Sequence, residues 1–251
     1  MAGGIRGAAA RWAPTTGWVL VLAGVLAVAV SAGTGRQMAG DAADGTPGTS
    51  APTAPGGARG DALPSPRLDG PLSLEESLAA RRSIRSFAPR PLTLAEIGQL
   101  LWAAQGLTDA DGRRTAPSAG ARYPLRVHVV TAEGLARYVP EGHRLVRRGS
   151  ADLRADLRRA ALDQAAVGEA PLVIVITAVI ERTAERYGAE RAERYVALEA
   201  GHAAQNVLLE AVSLGLGAVP IGAFDDAQVR RVLELTEDEA PLYLVPVGHP
   251  R

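Results

Sequence analysis

Cysteine and lysine are both absent from the 251 residues. Without a thiol there can be no thiolate nucleophile, zinc–thiolate site, iron–sulfur ligand, disulfide or cysteine-linked lipid. Since every one of the 27 basic residues is an arginine, a lysine Schiff base, a phosphate-loop lysine and a lysine general base are excluded too. Histidine is scarce: His128, His143, His202 and His249 show no metal-ligand spacing such as His-Glu-x-x-His. Charge of one sign is missing as well. The 27 basic and 27 acidic side chains cancel, and no basic stripe interleaves with aromatics, so nucleic acid is not an expected partner. The expectation is that a bound organic cofactor carries the chemistry, or that there is none. What is abundant is apolar surface, 47% of residues, enough to build a core.

The first 17 residues carry Arg6 and Arg11 and no acid, and Trp18 to Val30 is an unbroken run of apolar and small residues followed by Ser31-Ala32-Gly33. This is the pattern of an export signal. Stretched from Thr15 to Gly33 the run approaches the roughly 20 residues of a membrane span, so residues 1–33 read as a signal peptide or an uncleaved anchor. Either places the remainder outside the cytoplasm, with the membrane touched through this segment only. Residues 34–71 are mostly Gly, Ala, Pro, Thr, Ser and Asp, too poor in large apolar side chains to offset the cost of ordering, and read as a flexible linker. Residues 72–251 are the expected folded domain.

Within it, Ser73 with Glu76 and Thr93 with Glu96 form capping boxes that open helices, the second running to Gln105 before Gly106. Residues 113–124 are too broken by Pro and Gly to be regular. Val127 to Thr131 reads as a strand and Tyr138 to Val146 as a hairpin turning at Pro140 to Gly142. Ser150 is expected to cap a helix reaching about Ala166. Leu172 to Ile180 is continuously apolar and β-branched, the pattern of a strand covered on both faces. The longest helix is expected from about Glu190 to Leu214, ended by Gly215 and Gly217. A short strand at Ala218 to Ala223, a helix capped by Asp225 or Asp226 and a strand from Leu242 to Val247 complete the chain. The fold class is α+β, a central mixed sheet flanked by helices, with a long apolar helix suited to a subunit interface.

Four stretches could carry chemistry. Arg81-Arg82-Ser83-Ile84-Arg85 packs three permanently charged guanidiniums and a hydroxyl into five positions, which suits an anion site as well as a solvated helix end. Gly215-Leu216-Gly217-Ala218-Val219-Pro220-Ile221-Gly222 is no dinucleotide loop, because it follows a helix and leads into a strand; its glycines would still let backbone amides approach a flat ligand. Ser118 lacks the Gly-x-Ser-x-Gly elbow and assignable partners, which argues against a hydrolase. Glu199, His202, Gln205 and Asn206 are expected to crowd one side of the long helix, either as a satisfied polar network or with Glu199 or His202 as a catalytic group.

Taken in order, Arg81 to Phe87, Pro117 to Pro124, Glu199-Ala200-Gly201-His202 with Gln205-Asn206, Gly215 to Gly222 and Pro246-Val247-Gly248-His249-Pro250 resemble the nitroreductase family of flavoproteins, most closely its SagB/ThcOx-type dehydrogenase branch. The resemblance spans about Leu74 to Arg251. It implies an FMN-dependent oxidoreductase that moves hydride through flavin N5, a homodimer with flavin at the subunit interface, and ping-pong use of two substrates. One would be NAD(P)H or an organic donor, the other a small organic molecule or a peptide. By position, Arg81, Arg82 and Ser83 would hold the FMN phosphate and ribityl end, and Arg85 would face the pyrimidine edge of the ring. Pro117, Ser118, Ala119, Gly120 and Ala121 would line the ring, and Gly222 would offer its N–H to N5 beside Pro220 and Ile221. Gln164 would lie near the ring and Arg251 near the phosphate. The family often has a polar side chain where this chain has Ala121. Two chemistries remain open, NAD(P)H-driven reduction of nitroaromatics or quinones and oxidation of azoline rings in peptides; a non-catalytic flavin-binding surface module is a third reading.

Overall fold

The computed structural model describes residues 60–251; the expected signal or anchor and most of the expected linker lie outside them. The chain enters as β1 (Asp61–Ala62), then α1 (Leu74–Ala80), α2 (Leu94–Gln105) and a 3-10 turn at Ala119–Ala121. Next come β2 (Leu125–Thr131), β3 (Gly134–Val139), β4 (Arg144–Gly149), α3 (Arg154–Ala160), α4 (Ala165–Glu169) and β5 (Leu172–Val179). The last third is α5 (Glu181–Tyr187), α6 (Ala189–Ser213), β6 (Gly217–Ala218), α7 (Asp226–Val232) and β7 (Glu239–Gly248).

The strands form one sheet in the order β1-β4-β3-β2-β5-β7-β6. Each registered strand pair is antiparallel, which corrects the expected mixed sheet; the parallel contact among the described residues is an isolated bridge between Ser83 and Ala218. Side chains of β5 are all buried and alternate between two cores, Leu172, Ile174 and Ile176 facing α2 and α6, Val173 and Val175 facing α3, α4 and α7. The continuous β-branched run is therefore the spine of a helix–sheet–helix sandwich, each large side chain adding about 1.5–3 kcal/mol by burial.

Both capping boxes form as expected, Ser73 with Glu76 and Thr93 with Glu96. Ser150 caps nothing. α3 starts four residues beyond it, where Asp152 accepts from the Arg154 backbone N–H, and the expected single helix breaks after Ala161 at Leu162 and Asp163, with φ of 55° and 57°. The expected strand at Ala218 to Ala223 shrinks to Gly217–Ala218 plus a bridge from Ile221 to Leu244, because Pro220 has no N–H to donate. α6 spans almost the expected residues but is not apolar all round. It buries one stripe, including Val196, Ala200, Ala203 and Val207, and turns Glu190, Arg194 and His202 outward. No helix among the described residues is long and apolar enough to cross a membrane. Residues 60–71, expected within the linker, lie against the domain: Asp61 and Ala62 pair with β4, Leu63 enters the core, and the Arg67 N–H donates to Gln99 Oε1 at 2.9 Å.

Candidate functional site

The segment after α1 is pinned by its small neighbours. Ile84 N–H donates to Ala218 O at 3.0 Å, and a side chain at Gly217 would come within 2.7 Å of Ile84 Cβ. Only glycine lets the arginine segment lie this close to β6. Downstream, the fully buried Phe87 bridges to Pro250, Ala88 N–H donates to His249 O at 2.8 Å, and Arg251 N–H to Ser86 O at 3.3 Å. Arg81 to Arg85, residues 217–222 and the terminal Arg251 thus converge from three parts of the chain. Gln164 joins them through its Nε2, which donates to Ala223 O at 2.8 Å and to Ala161 O at 2.9 Å. The two left-handed residues Leu162 and Asp163 immediately precede it, so this position is held by strained backbone.

The side chains of Arg81, Ser83 and Arg85 have no hydrogen bond or ion pair among the described residues. Arg82 instead folds back on the end of α1, donating to Ala79 O at 2.9 Å and Arg81 O at 2.7 Å. That is the helix-end role weighed in the sequence, realised for one arginine of three. Gly222 is exposed, its neighbour Ile221 exchanges both backbone bonds with Leu244, and Gly222's own N–H is left free among the described residues. A Cβ at Gly222 would meet only Tyr243, at 3.9 Å, so the backbone there is open to close approach.

Pro117 to Ala121 stand elsewhere. Ser118 Oγ accepts from Tyr123 N–H at 2.9 Å, and Gly120, Ala121 and Tyr123 all have positive φ. The segment packs on α6, where Asn206 Nδ2 donates to Thr115 O at 3.3 Å. Burial pushes the Glu199 carboxyl up to about 7, with Ser118, the charge of Arg114 and Gln105 pulling it back. Three buried polar atoms here, Glu199 Oε1, Gln105 Nε2 and Arg114 Nε, have no hydrogen-bond partner among the described residues. His202 and Gln205 are exposed, so the four polar residues of α6 do not share one side: Glu199 and Asn206 turn inward and the other two outward.

The two groups lie far apart within one chain. Ser83 is bridged to Ala218, which registers through Val247 with Leu172 at one end of β5, whereas Pro124 O accepts from Val179 N–H at the other. Leu172 to Val179 is about 23 Å of extended chain.

Sequence reasoning missed the buried constellation of Glu239, His128, Thr177 and Arg126. Burial alone would raise the Glu239 carboxyl, but hydrogen bonds from His128, Thr177 and Arg126 hold it down at about 2. A single buried carboxylate at the start of β7 gave no spacing to find it by.

The model of the Nitroreductase family matches residues 78–249. A protein of Methanocaldococcus jannaschii named as a nitroreductase is 46% identical over 183 residues, covering 70% of this chain and 91% of that protein. A solved nitroreductase structure from Ralstonia eutropha has a TM-score of 0.69 and 35% identity, covering 76% of this chain and 89% of its own. The NADPH:FMN oxidoreductase from Vibrio harveyi, solved in complex with NAD+, has a TM-score of 0.54 and 28% identity, covering 70% of this chain and 68% of its own. With an α+β antiparallel fold and a family match over most of the described residues, this chain belongs to the nitroreductase family of oxidoreductases.

Proposed function

We propose that the protein is an FMN-dependent oxidoreductase of the SagB/ThcOx-type branch that takes hydride from NADH or NADPH and passes it to a small organic acceptor. The observation that carries the reading is the convergence of the segments Arg81 to Arg85, 217–222 and Arg251, the first carrying the unpaired guanidiniums of Arg81 and Arg85 and the second a free, open backbone N–H at Gly222. The residues present fit the group: fixed cations suit a phosphate and the electron-rich edge of a reduced ring, and an uncovered amide suits a flat ligand.

When bound, FMN would supply a two-electron centre that accepts and donates hydride. Arg81 and Ser83 would hold its phosphate and ribityl end, with Arg251 close by. Arg82 would join them by leaving the end of α1. Arg85 would hold the pyrimidine edge, where negative charge collects on reduction, and Gly222 N–H would fix the orientation of N5. Pro117 to Ala121 would cover the ring from a second copy of the chain, since their own copy's Arg85 stands at the far end of β5. The name of the Vibrio harveyi relative, an NADPH:FMN oxidoreductase, supports both the flavin and the nicotinamide donor. Placement of the domain outside the cytoplasm rests on the character of residues 1–33.

Purified protein is expected to show flavin absorbance that bleaches with NADH or NADPH and returns on adding a nitroaromatic or a quinone. Arg85→Ala should lower FMN affinity at least tenfold, about 1.4 kcal/mol. Colourless protein that takes up no added FMN would sink the proposal, and flavin that stays oxidised with either nucleotide would sink its donor.

A further inference from the structure

The β2–β3 ladder runs from Thr131–Gly134 to His128–Arg137 and stops, although both strands continue. The reason is at their ends. Pro124 precedes β2 and Pro140 follows β3, nearly opposite each other, and neither can donate a ladder bond. The strands splay, and the gap between Leu125–Val127 and Tyr138–Pro140 is a cavity of about 240 Å³. Four arginines reach it, one from each surrounding piece: Arg114 from the loop after α2, Arg126 from β2, Arg137 from β3 and Arg182 from α5.

Their charges are not balanced by the protein. Arg126 is paired with Glu239, and Arg114 reaches the exposed Glu141 at 3.3 Å. Arg182 donates only to Tyr123 O, at 3.3 Å, and Arg137 has no partner among the described residues. Four guanidiniums against Glu141 and Glu239 leave a formal excess of two positive charges while Glu199 beside Arg114 is neutral, and of one when it is ionised. Gln105 Nε2 and Arg114 Nε also lack a hydrogen-bond partner among the described residues, but both atoms are closed to water and Gln105 lies beside the Glu199 carboxyl, so what the cavity offers a ligand is the arginine head groups.

We propose that this gap is a binding site for a small dianion, a phosphate or a dicarboxylate, held by Arg114, Arg126, Arg137 and Arg182. Planar guanidiniums approaching from several directions match the oxygens of such a ligand, and its two charges cancel the excess left while Glu199 is neutral. The site is separate from the Arg81 to Arg85 cluster, which lies toward the opposite end of β5.

Isothermal titration of the full-length protein, saturated with FMN so that its phosphate-end arginines are occupied, tests this. Inorganic phosphate and malonate are the two arms, each against sodium chloride at matched ionic strength. Saturable binding of either at one site per chain is expected, with affinity at least tenfold lower in both Arg137→Gln and Arg182→Gln. Neither side chain holds an ion pair among the described residues, so both variants should fold, and unchanged FMN absorbance would confirm it. Heat no larger than the chloride control, or equal affinity in the wild type and both variants, would overturn the site. Failure here leaves FMN binding untouched, so the two proposals fail separately.

Discussion

Glu199 is the residue with most at stake. It is 3% exposed, its Oε1 lacks a hydrogen-bond partner among the described residues, and burial raises its carboxyl to about 7, so near neutrality it is shared between charged and neutral forms. A carboxyl whose folded pKa is raised binds its proton more tightly folded than unfolded. Its contribution is fully present below the ordinary value of 4.5 and is lost as pH rises through about 7. Across that window the loss approaches 3 kcal/mol, at about 1.4 kcal/mol per unit. Melting temperature should therefore fall from pH 5 to pH 7.5 more steeply in the wild type than in Glu199→Gln. The difference between the two curves removes what they share, including the raised Glu210 and the lowered His128 and His143. Parallel curves would show that Glu199 does not titrate in this range. In the sequence Glu199 stood out as a polar residue on an oily helix. Its pairing with Ser118 did not, because the irregular segment that brings Ser118 over has no periodicity to read.

At the scale of elements, glycine spacing carried more information than strand patterning. Gly215 and Gly217 read correctly as the end of α6, and the structure adds that Gly217 makes room for Ile84. Gly217→Ala should push Ile84 off β6, break its bond to Ala218 O, and cost about 1–3 kcal/mol as overpacking does. FMN retention should fall with it, because Ser83 and Arg85 flank Ile84. Gly201→Ala is the control: a Cβ there meets nothing within 4 Å, and chemical denaturation should show no loss of stability. Strand direction was not legible, since a β-branched run buried on both faces looks the same in parallel and antiparallel sheets. The break between α3 and α4 was hidden for a related reason. Leu162 and Asp163 adopt left-handed backbone with no glycine to announce it, and Asp225 N–H donating to Ala160 O and Gln164 to Ala223 O tie the break to a distant segment.

For the whole molecule, the order of motifs was readable but their distribution in space was not. Five stretches in family order suggest one pocket, yet within one chain the arginine cluster and Pro117 to Ala121 are separated by the length of β5. If both line the same ring, each site is built from two chains, as a twofold dimer permits by giving two equivalent sites. Exposed Leu74 and Leu78 on α1 and Leu198 on α6 are apolar surface available for such a contact. Complementation tests the arrangement. Arg85→Ala damages one half of the site, and Gly120→Val the other, because a branched side chain at φ 58° is strained and a Cβ there would come within 2.7 Å of the Tyr187 hydroxyl. Each variant alone should retain little FMN. Co-expressed, they should form mixed dimers in which one site combines both lesions and the other combines two intact halves, restoring about one quarter of wild-type occupancy when chains pair at random. Flavin content of the co-purified mixture reads this directly. A mixture no better than the separate variants, with mixed dimers verified by two affinity tags, would mean that each chain holds its flavin alone.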